Sequence, residues 1–307
     1  MAASDSPPQH RENMAYVFAT RAYNMDHLDF HKLAQIDWNI VPHLNQPFGL
    51  NGYKYVDWAE ADYGEHEASI FAGTDIRMPS GPNDPLHGTL TAILEAASTG
   101  GKAIWGGIQG ISVGAETFAL ASDSSTTADD FDIIQGELSG ADKFNLSTRN
   151  DLARGYGGND AMNGNGGDGN DKLNGAKGND HLFGDAGQDK LYGGAGKDTL
   201  DGGDDTTRDS FVFNDADSAV GTKRDVILHF TGGSDVIDLG RIDADASTSK
   251  SDDDFHWSGE SAAAHSIWWT ANTGGVVVSG DVTGDAKADF EIFLAGASTL
   301  TADDVLL

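Results

Sequence analysis

The apolar and polar positions of this chain repeat every nine residues through much of its middle third. In each unit an Asp is followed two residues later by an apolar residue, and successive Asp residues are 9, 9, 11, 9, 9, 9 and 11 residues apart. We interpret the two steps of eleven as two-residue loop insertions, one at Gly164–Asn165 and one within Asp204–Arg208. The eight anchors are Asp142/Phe144, Asp151/Ala153, Asp160/Met162, Asp171/Leu173, Asp180/Leu182, Asp189/Leu191, Asp198/Leu200 and Asp209/Phe211.

Glycine occupies two fixed positions before the Asp in five consecutive units. A stretch such as Gly193–Asp198 (GGAGKD) can adopt positive φ at several positions and therefore turns the chain sharply. The short strand that follows, Thr199–Asp201, offers only one inward apolar side chain, so neighbouring units must stack to bury a core. These glycines are Gly158, Gly169, Gly178, Gly187 and Gly196, two residues before the Asp, and Gly155, Gly166, Gly175, Gly184 and Gly193, five before it.

Stacking of these units brings the Asp carboxylates of successive turns close together. Like charges a few ångströms apart repel by a few kcal/mol per pair at an effective dielectric near 20, so a cation is expected between them. Carboxylate and carbonyl oxygens in a flexible loop suit Ca²⁺ better than Mg²⁺, which needs a tight octahedron, or Zn²⁺, which prefers nitrogen and sulfur. A disordered acidic linker is the alternative, but a linker need not keep an apolar residue in phase through eight units.

The repeat resembles the RTX nonapeptide GGxGxDxUx. It is matched in full by GGDGNDKLN (166–174) and GGAGKDTLD (193–201), and closely by the units that begin at Gly155, Gly175 and Gly184. The resemblance implies a parallel β-roll in which two units make one coil and an ion lies between Asp160 and Asp180, Asp171 and Asp189, Asp180 and Asp198, and Asp189 and Asp209. The candidate ligands of several Ca²⁺ ions are thus Asp160, Asp171, Asp180, Asp189, Asp198 and Asp209, with Gly158, Gly169, Gly178, Gly187, Gly196, Asn159, Asn170 and Asn179, and secondarily Asp142 and Asp151.

Composition excludes several classes of partner. The 49 acidic and 19 basic residues give a formal charge of −30, which excludes an electrostatic nucleic-acid binder and disfavours anionic membranes. No cysteine is present, so disulfide scaffolds, zinc ribbons and thiol nucleophiles are excluded. No apolar run is long enough to predict a membrane span, and residues 1–14, expected to be disordered, lack the apolar core of a cleaved signal peptide.

Alternating apolar residues predict a β-rich C-terminal cap over residues 214–307, after a roll over 136–213. The predicted strands are 211–215, 224–230, 235–240, 266–270, 276–282 and 289–294. The stretches DSFVFNDADSAVG, RDVILHF and SGDVTGDAKADFEIFLAG resemble the C-terminal region of serralysin-type proteases and related RTX proteins. The ending Asp303–Leu307 (DDVLL) is similar to the uncleaved type I secretion signal of that family, although a buried last strand would produce the same ending.

One cap segment has the oxygen spacing of a calcium loop. Asp281, Thr283, Asp285 and Asp289 form D-x-T-G-D-x-x-x-D. A hairpin turn with positive φ at Gly284 is the favoured interpretation, because the bidentate Glu of an EF-hand is replaced by Ile292. Asp281, Asp285 and Asp289 therefore stand as secondary metal candidates.

Residues 15–135 differ in composition and are expected to form an α+β domain. Residues 27–41 predict an amphipathic helix, and residues 53–58, 67–73, 88–94, 103–114 and 116–120 predict strands. The segments GTLTAIL and IWGGIQGISVG resemble the central hairpin of secreted haemophores, but the axial Tyr would fall on Ala92 and the supporting His near Gly100–Lys102. His43 and His87 could ligate haem or a metal, although ordinary loop histidines are the simpler interpretation.

No familiar catalytic motif is complete. The chain lacks H-E-x-x-H, since His27 and His31 have the spacing without the Glu, and this excludes a zinc protease. Ser112 lies in a G-x-S-x-G match at Gly110–Gly114, but its β-patterned context lacks the helix of a nucleophile elbow. We assign no catalytic residue and lean toward a protein that is not an enzyme.

The sequence as a whole predicts a mainly β protein, with a calcium-bound parallel β-roll between an α+β N-terminal domain and a β-rich C-terminal cap. The resemblance implies a secreted, extracellular protein of a Gram-negative bacterium, exported by a type I ABC transporter and folded by extracellular Ca²⁺. The N-terminal domain is expected to bind a cell surface, a polysaccharide or another copy of itself, or to be structural. Haem or metal scavenging and a polysaccharide-modifying or hydrolytic activity are the alternatives.

Overall fold

The computed structural model of the 307-residue chain describes two parts. Strands between residues 16 and 114 are described by their backbone, and residues 135–307 are described with side chains except 137, 165–168, 216, 246 and 249–252. Eight strands lie in the first part: β1 (Tyr16–Ala19), β2 (Ile40–His43), β3 (Phe48–Leu50), β4 (Tyr53–Tyr55), β5 (Asp57–Gly64), β6 (Glu67–Arg77), β7 (His87–Ala96) and β8 (Ile104–Gly114).

These strands form an antiparallel sheet in the order β2-β5-β6-β7-β8-β1, with a separate hairpin of β3 and β4. The strands predicted within residues 53–114 are confirmed. Residues 27–39 and 116–120 lie outside the described residues. The predicted helix does not extend to its expected end at residue 41, because β2 already begins at Ile40.

Ten short strands follow and form the roll. Their parallel pairing places alternate strands in two different sheets, so that two strands make one coil. The strands are β9 (Lys143–Asn145), β10 (Leu152–Arg154), β11 (Ala161–Asn163), β12 (Lys172–Gly178), β13 (His181–Phe183), β14 (Lys190–Gly196), β15 (Thr199–Asp201), β16 (Ser210–Val212), β17 (Asp225–Leu228) and β18 (Val236–Asp238).

The core of the roll is a double row of single apolar side chains, one for each strand. In one sheet Met162 is in register with Leu182, which is in register with Leu200. In the other sheet Leu173 pairs with Leu191 in the same way. All of these side chains have no solvent exposure. Burial of such a side chain stabilises the fold by about 1.5–3 kcal/mol, which explains why the unit preserves its apolar position.

Parallel pairing continues beyond the predicted end of the roll at residue 213. β17 pairs with β15, and β18 pairs with β16, in the same register as the preceding coils. The remaining strands are β19 (His256–Gly259), β20 (Ser266–Asn272), β21 (Gly275–Gly280), β22 (Phe290–Ala295) and β23 (Val305–Leu306), with 3-10 turns at Gly221–Lys223 and Ala302–Asp304.

The C-terminal strands complete the two sheets. β20, β21 and β22 form an antiparallel meander whose last strand pairs with β17, while β23 pairs with β18. Each of the six strands predicted in this region is present, and β19 and β23 were not predicted. One sheet thereby contains 15 strands, from β2 at one edge to β19 at the other, because β1 pairs with both β8 and β9.

Candidate metal sites along two aspartate ladders

The Asp residues of successive coils are connected in two series, which we call ladder A and ladder B. In each series the N–H of one Asp donates to the Oδ1 atom of the Asp one coil later, at 2.7–3.0 Å. Each pair proposed from the sequence to share an ion is joined in this way. Ladder A consists of Asp142, Asp160, Asp180, Asp198 and Asp225, and ladder B consists of Asp151, Asp171, Asp189, Asp209 and Asp235.

The second carboxylate oxygen, Oδ2, is buried at several ladder positions and receives no hydrogen bond from any described group of the protein. This is the case at Asp160, Asp180, Asp189, Asp198 and Asp225, whose exposed fraction is at most 2%. A buried acceptor without a partner costs roughly 1–3 kcal/mol, and more when it is charged. The ladders therefore contain unpaired oxygen atoms that need a donor or a cation.

Glycines hold these unpaired oxygens against the turns. A Cβ atom at Gly155 would overlap with Oδ2 of Asp160 and would stand 2.8 Å from the carbonyl oxygen of Gly175 in the next coil. The same overlap occurs between Gly175 and Asp180 and between Gly184 and Asp189. Carboxylate and carbonyl oxygens thus approach the same points of the turns, and a set of such oxygens is what Ca²⁺ prefers.

The glycines two residues before each Asp allow the turns to stack directly on one another. Gly158, Gly178, Gly187 and Gly196 have φ between 109° and 150°, in the region that favours glycine. A Cβ atom at Gly178 would overlap with the carbonyl oxygen of Gly158, and one at Gly169 would stand 2.6 Å from the carbonyl oxygen of Arg149. The backbone of each turn therefore lies against the backbone of the previous turn.

Burial dominates the electrostatics of the ladders. Desolvation raises the pKa of Asp160 and Asp198 to about 8, and repulsion from ladder neighbours adds to this effect. Burial also raises the pKa of Asp171 to about 7 and the pKa of Asp180 to about 6. Burial likewise raises the pKa to about 6 at Asp189, about 8 at Asp209 and about 7 at Asp225.

The candidate Asn residues lie on the exposed rim of the turns. Oδ1 of Asn159 accepts the N–H of Asn179 at 2.8 Å, and Oδ1 of Asn179 accepts the N–H of Lys197 at 2.9 Å. Asn170 accepts from Gln188 in the same manner. These amides join successive coils from outside the ladders, and a role for them as metal ligands stays a prediction.

Two ladder members were missed by the sequence analysis, namely Asp225 and Asp235. They follow Asp198 and Asp209 by 27 and 26 residues, so the nine-residue search passes over them. Each nevertheless has an Ile two residues later, the signature used to find the others. Gly164, which we assigned to a loop insertion, instead lies against the carboxylate of Asp171, since a Cβ atom there would stand 2.6 Å from its Oδ2. Gly166 lies outside the described residues.

The Asp281 loop is a turn held by carboxylates that accept backbone N–H groups. Asp281 is fully buried and accepts the N–H groups of Gly284 and Ala286 at 2.8 Å each. Burial opposes its ionisation, but these N–H groups hold the pKa of Asp281 below its ordinary value. Asp289 accepts the N–H of Val282 at 2.8 Å, and Gly284 has the expected positive φ, 80°. Asp285 instead pairs with Lys287 at 2.5 Å, and a metal ion at this loop stays a prediction.

No three His, Cys, Asp or Glu side chains cluster as a metal site within the part of the chain that the structure describes. The ladders differ from such clusters because they combine single carboxylates with backbone carbonyls. Among the same residues, none belongs to a helix of the length and apolarity that a membrane span requires. In the N-terminal region, Ser112 lies in β8, as its β-patterned context predicts, and His43, His87 and Ala92 lie in β2 and β7. His27, His31 and residues 100–102 are outside the described residues.

Comparison with known families supports this assignment of the ladders. Residues 138–168 and 165–200 match the family of the RTX calcium-binding nonapeptide repeat. A comparison with curated proteins found no match.

Two solved structures to which this chain is similar are of subunits of the mannuronan C5-epimerase of Azotobacter vinelandii. The AlgE6R3 subunit is 25% identical over 51% of this chain and 77% of its own, with a TM-score of 0.32. The AlgE6R2 subunit is 22% identical over 52% of this chain and 91% of its own, with a TM-score of 0.36. The stretch from residue 138 to residue 200, which contains ladder members from Asp142 to Asp198, therefore consists of RTX-type calcium-binding nonapeptide repeats.

Proposed function

We propose that the repeats are a calcium-gated folding element of a secreted protein. The single observation that carries this proposal is the row of buried Oδ2 atoms without hydrogen-bond partners along the two ladders. Bound calcium would supply the positive charge that these oxygens and the adjacent carbonyls lack. The ladder members Asp160, Asp171, Asp180, Asp189, Asp198 and Asp209 are the residues we expect to hold it, with Asp225 as a further candidate.

Without a cation, the folded roll must keep its carboxylates either charged and mutually repelling or protonated. The raised pKa values of Asp160 and Asp198 show how strongly burial and repulsion disfavour the charged form. No single coil compensates this cost, because each strand contributes only one side chain to the apolar core. We therefore expect the roll to be unfolded at neutral pH where free calcium is scarce.

Calcium binding can contribute enough free energy to decide whether the roll is folded. Extracellular calcium sites have Kd values of about 10⁻⁴–10⁻³ M. A site whose free ion is tenfold above Kd stabilises the folded state by roughly 1.4 kcal/mol. Domains are stable by only about 5–15 kcal/mol, so several such sites along two ladders would shift the roll from mostly unfolded to mostly folded.

Export through a type I ABC transporter of a Gram-negative bacterium is the second part of the proposal. An unfolded acidic chain in a calcium-poor cytosol would be threadable, and folding outside the cell would follow from calcium binding. The repeat match supports this destination, since the repeats are of the RTX calcium-binding type. The last residues fit both a folded strand and an export signal, because β23 pairs with β18 at the edge of its sheet while Leu306 remains 52% exposed.

The N-terminal strands would then carry the specific task of the protein, which we propose is binding to a cell surface, a polysaccharide or a second copy of the chain. Their sheet supports this proposal because it is continuous with the roll through β1 and β9. Size-exclusion chromatography with light scattering, in millimolar Ca²⁺ and in EGTA, would test self-association. A monomer under both conditions would exclude that form of binding.

Circular dichroism of the full chain tests the folding proposal. We expect EGTA at pH 7.5 to remove most of the β signal of the roll and millimolar Ca²⁺ to restore it. Asp198→Asn should weaken calcium-induced folding and make the metal-free chain more stable, because it removes one charge from ladder A and retains an Oδ1 acceptor. Asp303→Asn is the matched control, since Asp303 is exposed and outside both ladders. A β signal that persists in EGTA would refute calcium-gated folding.

A further inference from the structure

An additional pocket lies on the outer face of the six-stranded sheet that contains β10, β12 and β14. Strands β10, β12 and β14 present Arg154, Lys172, Asn174 and Tyr192 there, in a register that pairs Arg154 with Asn174 and Asn174 with Tyr192. Arg241, from the turn after β18, closes one side of the pocket. The cavity has a volume of about 190 Å³. Pockets for drug-sized ligands have volumes of about 300–1,000 Å³, so this cavity suits a smaller molecule, about the size of one sugar ring.

The charge of this pocket is opposite to that of the molecule. Three cationic side chains, those of Arg154, Lys172 and Arg241, line it, whereas the whole chain has a formal charge of −30. No acidic residue lines the pocket among the described residues. Within that part of the chain, neither Lys172 nor Arg241 forms an ion pair with a carboxylate. The positive charges of Lys172 and Arg241 are therefore not neutralised by a carboxylate of the described residues.

A buried aromatic ring holds two of these cations in place. The Nζ atom of Lys172 lies 5.4 Å from the ring centroid of Tyr192, and the Cζ atom of Arg241 lies 5.6 Å from it. Tyr192 is only 9% exposed, and its backbone is fixed by the pairing of β12 with β14. Cations ordered by a rigid ring lose less side-chain freedom when a ligand binds.

We propose that this pocket binds an oxyanion, a carboxylate or a sulfate group, carried by a small polar molecule of about one sugar ring. Guanidinium groups recognise such planar or tetrahedral anions through paired N–H donors, and Lys172 adds a point charge. Asn174 and Tyr192 provide the polar and aromatic wall beside the charged group. This site is separate from the aspartate ladders and takes a ligand of the opposite charge to calcium.

Titrations of the calcium-loaded full chain, followed by NMR of backbone amides, test the proposal. The probes are sodium sulfate, sodium glucuronate and the neutral methyl glucoside. We expect saturable shifts at residues 152–154, 172–174 and 192 with glucuronate, with sulfate or with both, and none with methyl glucoside. Saturation by glucuronate alone would identify a sugar carboxylate, and equal saturation by sulfate would show that the anion itself is recognised.

Lys172→Gln and Arg241→Gln should each weaken probe binding about tenfold, the effect of one charge-assisted hydrogen bond. Lys190→Gln is the matched control, because Lys190 lies beside Lys172 in the register of the same sheet but does not line the pocket. The affinity of this control variant for the probes should change less than twofold. Absence of saturable binding, shifts elsewhere in the chain, or equal losses in all three variants would overturn the proposal. If a variant does not fold, the positions of the shifted amides in the wild-type chain still test the proposal.

Discussion

In five of the turns that the structure describes, the second residue has a positive φ, whatever its side chain. Tyr156, Ala176 and Asp185 have φ of 65°, 74° and 68°, and Gly194 and Gly203 occupy the equivalent place in other units. The left-handed conformation costs an L-residue about 1–2 kcal/mol, and glycine adopts it without that cost. Units that depart from glycine at this position are therefore locally strained.

Ala176→Gly should stabilise the calcium-loaded protein. Removal of the left-handed strain outweighs the extra chain entropy of glycine, and we expect a gain of about 0.5–1 kcal/mol in the free energy of unfolding. Urea denaturation in millimolar Ca²⁺ would measure the difference. Ala195→Gly is the matched control, because Ala195 pairs with Lys177 in the next position of the register and has no positive φ. This control should lose stability, and a gain in both variants would contradict the strain argument.

Gly175→Ala should have the opposite effect. The new methyl group would overlap with the carboxylate of Asp180, which is fixed by the N–H of Asp160. Such overpacking costs about 1–3 kcal/mol, and a displaced carboxylate should also weaken calcium binding. Calcium titration followed by circular dichroism would measure both effects. Gly232→Ala is the control, since a methyl group there meets Asp304 only at 3.8 Å. Equal midpoints in the two variants would show that Gly175 does not position Asp180.

Many of these residue positions could be predicted because their signal is periodic. The Asp and apolar anchors recur at fixed spacing, so Asp160 to Asp209 were assigned to stacked turns before the fold was known. The strained positions were not predicted, because a lone Ala or Asp in place of Gly gives no sign of its φ. Gly164 was misassigned for a related reason, since an insertion leaves its exact place in a Gly-rich loop undetermined.

At the scale of elements, each ladder brings several buried carboxylates close enough to affect one another's ionisation. Asp160, Asp171, Asp180 and Asp198 have pKa values of about 6–8, above the ordinary Asp value of 3.8, because they are buried. Repulsion from ladder neighbours adds to this effect at Asp160, Asp171 and Asp198. A folded-state pKa above the unfolded value means that the folded roll binds more protons than the unfolded chain. Its stability is then greatest below the unfolded pKa and decreases as the pH rises through the folded values.

The metal-free roll should therefore fold better in mild acid. In EGTA we expect more β signal at pH 5 than at pH 8, with the loss occurring between about pH 5 and pH 8. Asp281 and Asp304 have lowered pKa values, held down against burial by backbone N–H groups, so their contribution is lost only as the pH falls below about 4. Circular dichroism at a series of pH values would show the transition. A metal-free roll that unfolds as the pH falls from 8 to 5 would contradict the sign of the ladder pKa values.

The last members of the two ladders could not be predicted from the sequence repeat. β17 and β18 continue the coils, but the connection between β16 and β17 is longer than those before it. This connection includes Ser218, whose Oγ accepts the N–H of Asp225 at 3.0 Å. Tertiary contacts, rather than a repeated sequence, place Asp225 and Asp235 on the ladders. The strand patterns of β20 to β22 were predictable because they alternate, whereas the two-residue β23 is too short to give a pattern.

At the scale of the whole molecule, one of the two sheets of the roll forms the middle of a 15-stranded sheet. β9 connects it to the N-terminal strands, and β17 connects it to the C-terminal meander. Glu291 strengthens the second junction by accepting hydrogen bonds from Arg224, at 2.6 Å, and from the N–H of Gly221. Calcium binding in the roll should therefore order the neighbouring strands as well.

The meander shares one apolar core with the roll but contributes to it through a different kind of strand. Ile267, Val278 and Ile292 are fully buried, and the strands that carry them are longer and antiparallel. These strands contain none of the unpaired ladder oxygens. We expect calcium removal to open the roll first and to affect the meander less, since only the roll depends on cations for its electrostatics.

Hydrogen exchange resolved by mass spectrometry, in millimolar Ca²⁺ and in EGTA at pH 7.5, tests the central claim most directly. The account predicts that the amides of residues 142–235 are protected with calcium and exchange fully without it, while residues 266–295 keep more of their protection. Equal protection of residues 142–235 in both conditions would contradict it, because the buried carboxylates would then coexist without a cation.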